Sequence, residues 1–470
     1  MRASMTAPRR TARPGGAPPQ AAASSAAADA ARQTVLIEGL ERDGRGKAVR
    51  NGRAVLLPQA YPGEAVAFRT DVSTLGALQG RPLKVLKASP DRVPHPCTHE
   101  FHCTGCPLLS YRPEAEGRFK TGLVRKAAAG IPSTGQDPVR PLIASPAPFG
   151  YRHYGKQHFA RRDGRVVLGS YVQGTHRVAD NRGCPVLAPA LAATFDRLAD
   201  LVSQAGLPLH APEGERGLRH AVARHSKATG RIQLVLATSE PEGVRAEAFV
   251  GGLAAELPVV ESAFLLVQQG EGNFLLEGDP KPIFGPPELE ETLLGKRFLI
   301  GPKSFFQINP WGAETLFTRA AEAAGTGDVV LELFSGVGAL TLKLADGFRR
   351  VVAAEASAEA ADCARRNAAR NGAAHVEVRT ARAEEAAATL LREISPEAVV
   401  VDPPRKGLGP QLAGLLAASS AKTIVLLSCD PQALQRDATA LAAGGRRLDL
   451  VQPVDQFPRT AHVETVARFT

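Results

Sequence analysis

From Val329 to Leu427 the chain repeats one pattern: a short aliphatic run, a turn rich in glycine, proline or polar residues, then a stretch of helical length. The runs are Val329-Val-Leu-Glu-Leu-Phe, Arg350-Val-Val-Ala-Ala, His375-Val-Glu-Val, Ala398-Val-Val-Val and Lys422-Thr-Ile-Val-Leu-Leu. Aliphatic strands that alternate with helices are buried on both faces, which argues for a doubly wound parallel sheet. Such a sheet presents its ligand at the carboxyl edge of the strands. Residues 301–470 are therefore expected to form an α/β domain.

A chain of 470 residues exceeds what one core supports, so further domains must precede this one. Residues 1–32, dominated by Ala, Pro, Gly and Arg, read as a disordered leader in which Met1 or Met5 starts the chain. Residues 33–90 alternate short apolar runs with glycines and charges, as a small closed or nearly closed β-barrel does. Its cations, Arg42, Arg45, Lys47, Arg50, Arg53, Arg81, Lys84 and Lys87, suit nucleic acid, although a solvated β-surface would look similar. Leu108 to Ala129 reads as a helix. Hairpin-like pairs and a helix near Pro189 to Gly206 make 91–300 a mixed α+β central domain.

The net charge is +10, and the leader, with five arginines against Asp29, leaves +6 for the body. That balance points to a polyanionic partner, or to no more than solubility. With no apolar run of about 18 residues, a membrane span is not expected, and the chain reads as cytoplasmic.

Two turns at the ligand edge carry chemistry. Leu331-Glu-Leu-Phe-Ser-Gly-Val-Gly ends a strand in a Gly-x-Gly turn that brings backbone amides, Gly336 among them, close to a ligand. Thr341 stands where a third glycine would serve a pyrophosphate, which counts against a dinucleotide fold; a cofactor without a pyrophosphate, such as S-adenosylmethionine, does not need that glycine. Glu355, at the end of the next strand, can accept both ribose hydroxyls. In Asp402-Pro-Pro-Arg-Lys-Gly the prolines aim the Asp402 side chain. Arg405, where methyltransferases of base amino groups tend to place an aromatic, counts against such a target. Cys429, at the end of its strand in Leu426-Leu-Ser-Cys-Asp-Pro, is placed as a nucleophile rather than as packing.

These stretches, with Ser304-Phe-Phe-Gln-Ile-Asn-Pro and Asp455-Gln-Phe-Pro-Arg-Thr-Ala-His-Val-Glu, resemble the RNA uracil-5-methyltransferase family over most of 300–464. The resemblance implies a Rossmann-like class I methyltransferase domain, an N-terminal OB-like (TRAM-like) RNA-binding barrel, and methylation of carbon 5 of a uridine by S-adenosylmethionine. It implies Cys429 as the nucleophile at carbon 6 and Glu464 as the base, with Gln307 and Phe334 joining Gly336, Glu355 and Asp402 around the cofactor. Phe305 is a candidate to stack on the flipped base, core packing being the alternative. Asp430, Leu426, Ala339 and Arg459 depart from the family pattern.

The substrate is expected to be ribosomal RNA before transfer RNA, and the protein a monomer. Cytosine-5 methylation is disfavoured because no second thiol stands at Pro403-Pro404. A non-enzymatic RNA-binding descendant is disfavoured because Cys429 and Glu464 are both present.

Cys97, Cys103 and Cys106 cluster in a chain of six cysteines, which points to metal rather than disulfides in a reducing compartment. The resemblance implies that Cys184 joins them around a four-iron four-sulfur cluster. With His95, His99 and His102 nearby, zinc is the alternative. Cys363 reads as packing. Phe149-Gly-Tyr-Arg-His-Tyr-Gly-Lys, the central domain's own motif, suits RNA contact or a solvated sheet face.

Overall fold

The computed structural model describes residues 33–470 except 74–75, 100, 135–136, 173–174, 176, 211–213, 241–243 and 269–275. The leader expected at 1–32 lies outside the described residues.

Strands β1 (Thr34–Leu36), β2 (Gly39–Leu40), β3 (Gly46–Arg50), β4 (Arg53–Leu57), β5 (Ala65–Ser73) and β6 (Ala77–Lys87) form one sheet in the order β1-β5-β6-β4-β3-β2. Only Ile37 and Glu38 separate β1 from β2, yet β1 pairs with β5 and β2 with β3, at opposite edges. One run of chain thus closes the sheet into an OB-like barrel, with β4 and β6 parallel within it. Val35, Val55, Leu57, Val66 and Phe68 fill its interior. Of its nine cations, Arg45 pairs with Asp43, Lys47 with Glu41, and both Arg69 and Arg81 with Asp71, so part of the basic charge is spent locally.

Helix α1 (Pro113–Ala128) begins five residues later than the expected Leu108. Proline occupies its first position, where a missing N–H costs nothing. Leu108 to Arg112 form a turn instead, in which the Leu108 N–H donates to the Arg459 carbonyl.

The central sheet comprises β7 (Tyr154–Arg162), β8 (Arg165–Gly169), β9 (Leu218–His225), β10 (Ile232–Thr238), β11 (Val260–Val267) and β12 (Lys281–Phe284), in the order β12-β11-β10-β9-β7-β8. The expected hairpin is β9–β10, and the expected helix is α2 (Pro189–Ala205), which ends on left-handed Gly206. Helices α2 and α3 (Val244–Glu256) cover one face of the sheet. The hairpin β13 (Leu289–Leu293) and β14 (Lys296–Ile300) leads into the last sheet.

That sheet carries β15 (Gly327–Leu333), β16 (Phe348–Glu355), β17 (Val376–Thr380), β18 (Ala398–Val401), β19 (Thr423–Ser428), β20 (Leu448–Val454) and β21 (Glu464–Phe469), ordered β17-β16-β15-β18-β19-β21-β20. The first five strands are parallel, as expected, and β21 is antiparallel to both neighbours. Period-two alternation sends Val399 and Val401 toward α1, α7 (Ala383–Ile394), α8 (Pro410–Ala417) and α9 (Pro431–Ala443). Ala398 and Val400 face α4 (Pro310–Ala324), α5 (Ala339–Leu344) and α6 (Ala358–Arg370). Ser133, Val139 and Ile143, well ahead of this sheet in sequence, form parallel bridges to Leu448, Val451 and Val454 of β20.

Buried charge holds the terminal loop, 455–463, to α1. Lys120 is fully buried and binds the carboxylates of Glu116 at 2.7 Å and Asp455 at 2.8 Å. Removing the cation alone strands two acids in a low-dielectric site, so Lys120→Met is expected to cost about 3–5 kcal/mol. Urea denaturation checks this, and an unchanged midpoint would show the network to be energetically idle.

No helix among the described residues is long and apolar enough to cross a membrane.

Candidate active site

The Gly-x-Gly turn is built as the spacing predicts. Phe334, Gly336 and Gly338 all have positive φ (66°, 55° and 86°), and a side chain grown on Gly336 would meet nothing within 4 Å. The turn therefore exposes backbone beside open space at the strand edge. Glu355 Oε2 accepts from the Gly336 N–H at 2.9 Å and Oε1 from the Ser357 N–H at 2.8 Å. Each oxygen keeps lone pairs for a ribose hydroxyl.

Sequence reading passed over Glu332, an acid in an otherwise aliphatic strand, and that incongruity was the available signal. It is buried beside Thr341, the residue at the third-glycine position, and no hydrogen bond of good geometry reaches its Oε2. Burial pushes its carboxyl up to about 8, and Asp402 and Glu355 add to the rise. Asp402, just beyond β18, is pushed up to about 7 by burial. These acids converge on the edge where a cationic sulfonium would be welcome.

Gln307 lies 3.4 Å from Gln456 of the terminal loop. Phe306 packs into the core, whereas Phe305 is 70% exposed, which rules out core packing for it.

Cys429 and Glu464 come together at the end of the antiparallel pair β19–β21, whose last partners are Ser428 and Thr465: Cys429 is the residue just past β19, Glu464 is the first residue of β21, and the Glu464 charge acts on the thiol. Burial pushes the thiol up to about 11, the Glu464 charge adds to this, and Arg405 opposes it. Glu464 is itself raised to about 8 by burial and then by Asp402, again opposed by Arg405.

Cys429 opens into a cavity of about 540 Å³ walled by Arg42 and Asp43 of the barrel, Pro107, Leu123 and Lys126 of α1, and His462. The barrel seats there through Gly44, where a Cβ would lie 3.2 Å from Pro107 and 3.3 Å from Ala461.

Comparison with known proteins agrees with this geometry. Residues 296–468 match the family model described as tRNA (Uracil-5-)-methyltransferase. An uncharacterized RNA methyltransferase of Halalkalibacterium halodurans is 32% identical over 437 residues, 92% of this chain and 95% of the relative. One from Oceanobacillus iheyensis is 30% identical, covering 93% and 96%. The chain belongs to the RNA uracil-5-methyltransferase family. Among solved structures, the Pyrococcus abyssi tRNA (uracil-54, C5)-methyltransferase bound to S-adenosyl-L-homocysteine superposes with a TM-score of 0.74 at 25% identity, covering 93% of this chain and all of that one. The protein is an S-adenosylmethionine-dependent RNA uracil-5-methyltransferase.

Three of the methyltransferase's departures from its family pattern have local explanations, and nothing in the structure explains Ala339. Asp430 caps α9 by accepting from the Gln432 N–H at 2.7 Å, and Leu426 is core. Arg459 is buried with positive φ, its Nη1 donating to the Tyr111 carbonyl at 2.8 Å and its guanidinium lying over Phe149. This corrects the reading of Phe149 to Lys156 as a solvated or RNA-facing patch throughout. Phe149 meets Arg459 and the Tyr151 hydroxyl donates to the Pro458 carbonyl, so the first half of the motif braces the terminal loop.

The enzyme's four expected metal-site thiols, Cys97, Cys103, Cys106 and Cys184, line one small cavity. Barrel residue Gln59 pins their loop, donating to the Cys103 and Cys106 carbonyls and accepting from the Phe101 N–H. Burial raises Cys103 and Cys106, and the neighbouring thiols raise them further. Among the described residues no group of three or more His, Cys, Asp or Glu is arranged as a site for a metal ion. Cys363 is core, its thiol donating to the Leu299 carbonyl at 2.9 Å.

Proposed function

We propose that this enzyme methylates carbon 5 of a uridine through a covalent adduct, with Cys429 as nucleophile and Glu464 as base. The observation that carries the reading is that Glu464 acts on the Cys429 thiol at the end of β19–β21, where Cys429 opens into a cavity walled by three separate parts of the chain. S-adenosylmethionine supplies the electrophilic methyl group. Cys429 adds as thiolate to carbon 6, which makes carbon 5 of the uracil nucleophilic enough to take that methyl. Glu464 then removes the carbon 5 proton, and the C–S bond breaks to release thiolate and 5-methyluridine. Gln307, Phe334, Gly336, Glu355 and Asp402 hold the cofactor, and exposed Phe305 stacks on the flipped base.

The reading divides the chain into a TRAM-like barrel at 33–90, a central domain at 91–300 and the methyltransferase domain at 301–470, acting as a monomer in the cytoplasm. Ribosomal RNA is the first substrate to test and transfer RNA, named for the Pyrococcus neighbour, the second. Incubation with labelled S-adenosylmethionine and unmodified total RNA, followed by nucleoside mass spectrometry, tests the reaction. Label in 5-methyluridine is expected, and label only in another nucleoside would overturn the reading.

The four cysteines are proposed to hold a four-iron four-sulfur cluster. An all-thiolate donor set suits iron–sulfur or zinc chemistry. His99, the histidine lining the cavity, already engages the Arg182 carbonyl through Nε2 at 2.6 Å, which favours four thiols over a mixed Cys/His zinc set. Protein purified anaerobically should carry about four irons and a visible charge-transfer band. Cys184→Ser should lose both and unfold at lower temperature, whereas colourless wild-type protein containing one zinc would refute the cluster.

A further inference from the structure

We propose that Arg224, buried in the central sheet, is a positioning residue for the flipped base: by holding the Ser304 carbonyl it fixes the direction in which Phe305 is presented. The proposal rests on the reading of Phe305 as the platform for that base and adds what aims the ring.

Phe305 is exposed although Ser304 and Phe306 on either side are buried. The Ser304 N–H donates to the Gly301 carbonyl at 3.1 Å, and Phe306 packs on Phe298 with ring centroids 5.6 Å apart. Between these anchors the direction of the Phe305 side chain depends on the rigid peptide plane that joins it to Ser304. Arg224 Nη2 donates to the carbonyl of that plane at 2.8 Å. The guanidinium in turn lies over the ring of Tyr154, its partner directly opposite on β7, at 4.8 Å.

Arg224 makes no ion pair among the described residues. Glu291, the carboxylate whose charge reaches it, is taken by the Lys227 and Ala228 N–H groups at 2.9 and 3.0 Å. Burial pushes the guanidinium down to about 10. A buried cation without an acid costs stability that an apolar side chain of similar shape would not, so what arginine uniquely supplies here is the directed hydrogen bond to the loop.

The other end of the loop has its own hold. The His225 N–H donates to the His153 carbonyl at 2.8 Å, and the His153 N–H donates to the Ile308 carbonyl at 2.7 Å. Gln307 is met by Gln456, and Asn309 caps α4. Arg224 therefore governs the Phe305 end of the loop and leaves the Gln307 end, assigned to the cofactor, to other partners.

The test is a double-mutant cycle on the full chain, read as the single-turnover rate of 5-methyluridine formation on unmodified total RNA with S-adenosylmethionine saturating. Phe305→Ala is expected to slow the reaction about 30-fold, the loss of one base–ring stack. Arg224→Met should slow it about 10-fold and Arg224→Lys, which keeps a charged donor, about 3-fold. Because Arg224 acts through Phe305, adding either Arg224 substitution to Phe305→Ala should slow it no further, whereas independent roles would multiply. If Arg224→Met does not fold, the cycle with Arg224→Lys decides alone. S-adenosylmethionine affinity, measured by calorimetry, should be that of the wild type in both Arg224 variants. Multiplied losses, a wild-type rate in Phe305→Ala or in the Arg224 variants, or cofactor affinity lost together with rate would overturn the positioning role alone. A wild type that forms no 5-methyluridine would sink the underlying reading instead.

Discussion

Cys429→Ala is expected to bind S-adenosylmethionine and RNA as the wild type does while losing methyl transfer by on the order of 10⁴-fold or more. No other thiol can substitute, because Cys363 is in the core and the remaining four line their own cavity away from β19. Alanine removes a thiol at a strand end that opens onto a cavity, so the fold should tolerate it. The free thiol is held well above neutrality by burial and by Glu464, which predicts that Cys429 is slow to alkylate in the empty enzyme. A bound sulfonium beside Asp402 adds positive charge and should lower that pKa. Alkylation of Cys429 by iodoacetamide should therefore accelerate when S-adenosylmethionine is added. Full methyl transfer by Cys429→Ala would exclude the covalent route.

Glu464→Gln should separate formation of the adduct from its breakdown. Glutamine preserves shape and removes the base, so turnover should fall about 10²–10⁴-fold. Cys429 keeps its place and loses the charge that raises its pKa, so addition and methylation proceed and the RNA–protein adduct accumulates. Denaturing gel electrophoresis with labelled RNA would show it, and absence of adduct with RNA binding intact would remove Glu464 from this role. In the wild type both the Glu464 carboxylate and the Cys429 thiolate are needed, so kcat/KM should rise with pH through about 8 and continue to rise toward about 11.

The stability sign runs the other way. Burial lifts the folded pKa of Glu464 from 4.5 to about 8, so the fold prefers the protonated carboxyl. That contribution is complete below about 4.5 and is lost as pH rises through about 8. Glu464→Gln should therefore gain stability relative to the wild type between pH 6 and pH 9, read as the difference in denaturation midpoints.

The parallel strands, the Gly-x-Gly turn and the placement of Cys429, Glu355 and Asp402 at strand ends were legible in the sequence. Each follows from local periodicity, because aliphatic runs set where strands stop and a doubly wound sheet gathers its strand ends at one edge. Glu464 was readable only through its motif, since nothing local distinguishes a base from any acid on a strand.

The tertiary structure alone decided what depends on distant partners. The barrel closes because β1 and β2 pair with strands that the chain lays down in a different order. Arg459 is a brace because α1 and Phe149, more than three hundred residues earlier, meet it. Cys184 joins Cys97, Cys103 and Cys106 only when the central domain folds back on their loop. Local sequence determines strands, turns and the residue types at their ends through sterics and periodicity. Which of those ends meet, and which charges are thereby buried, is set by long-range packing that no local pattern encodes.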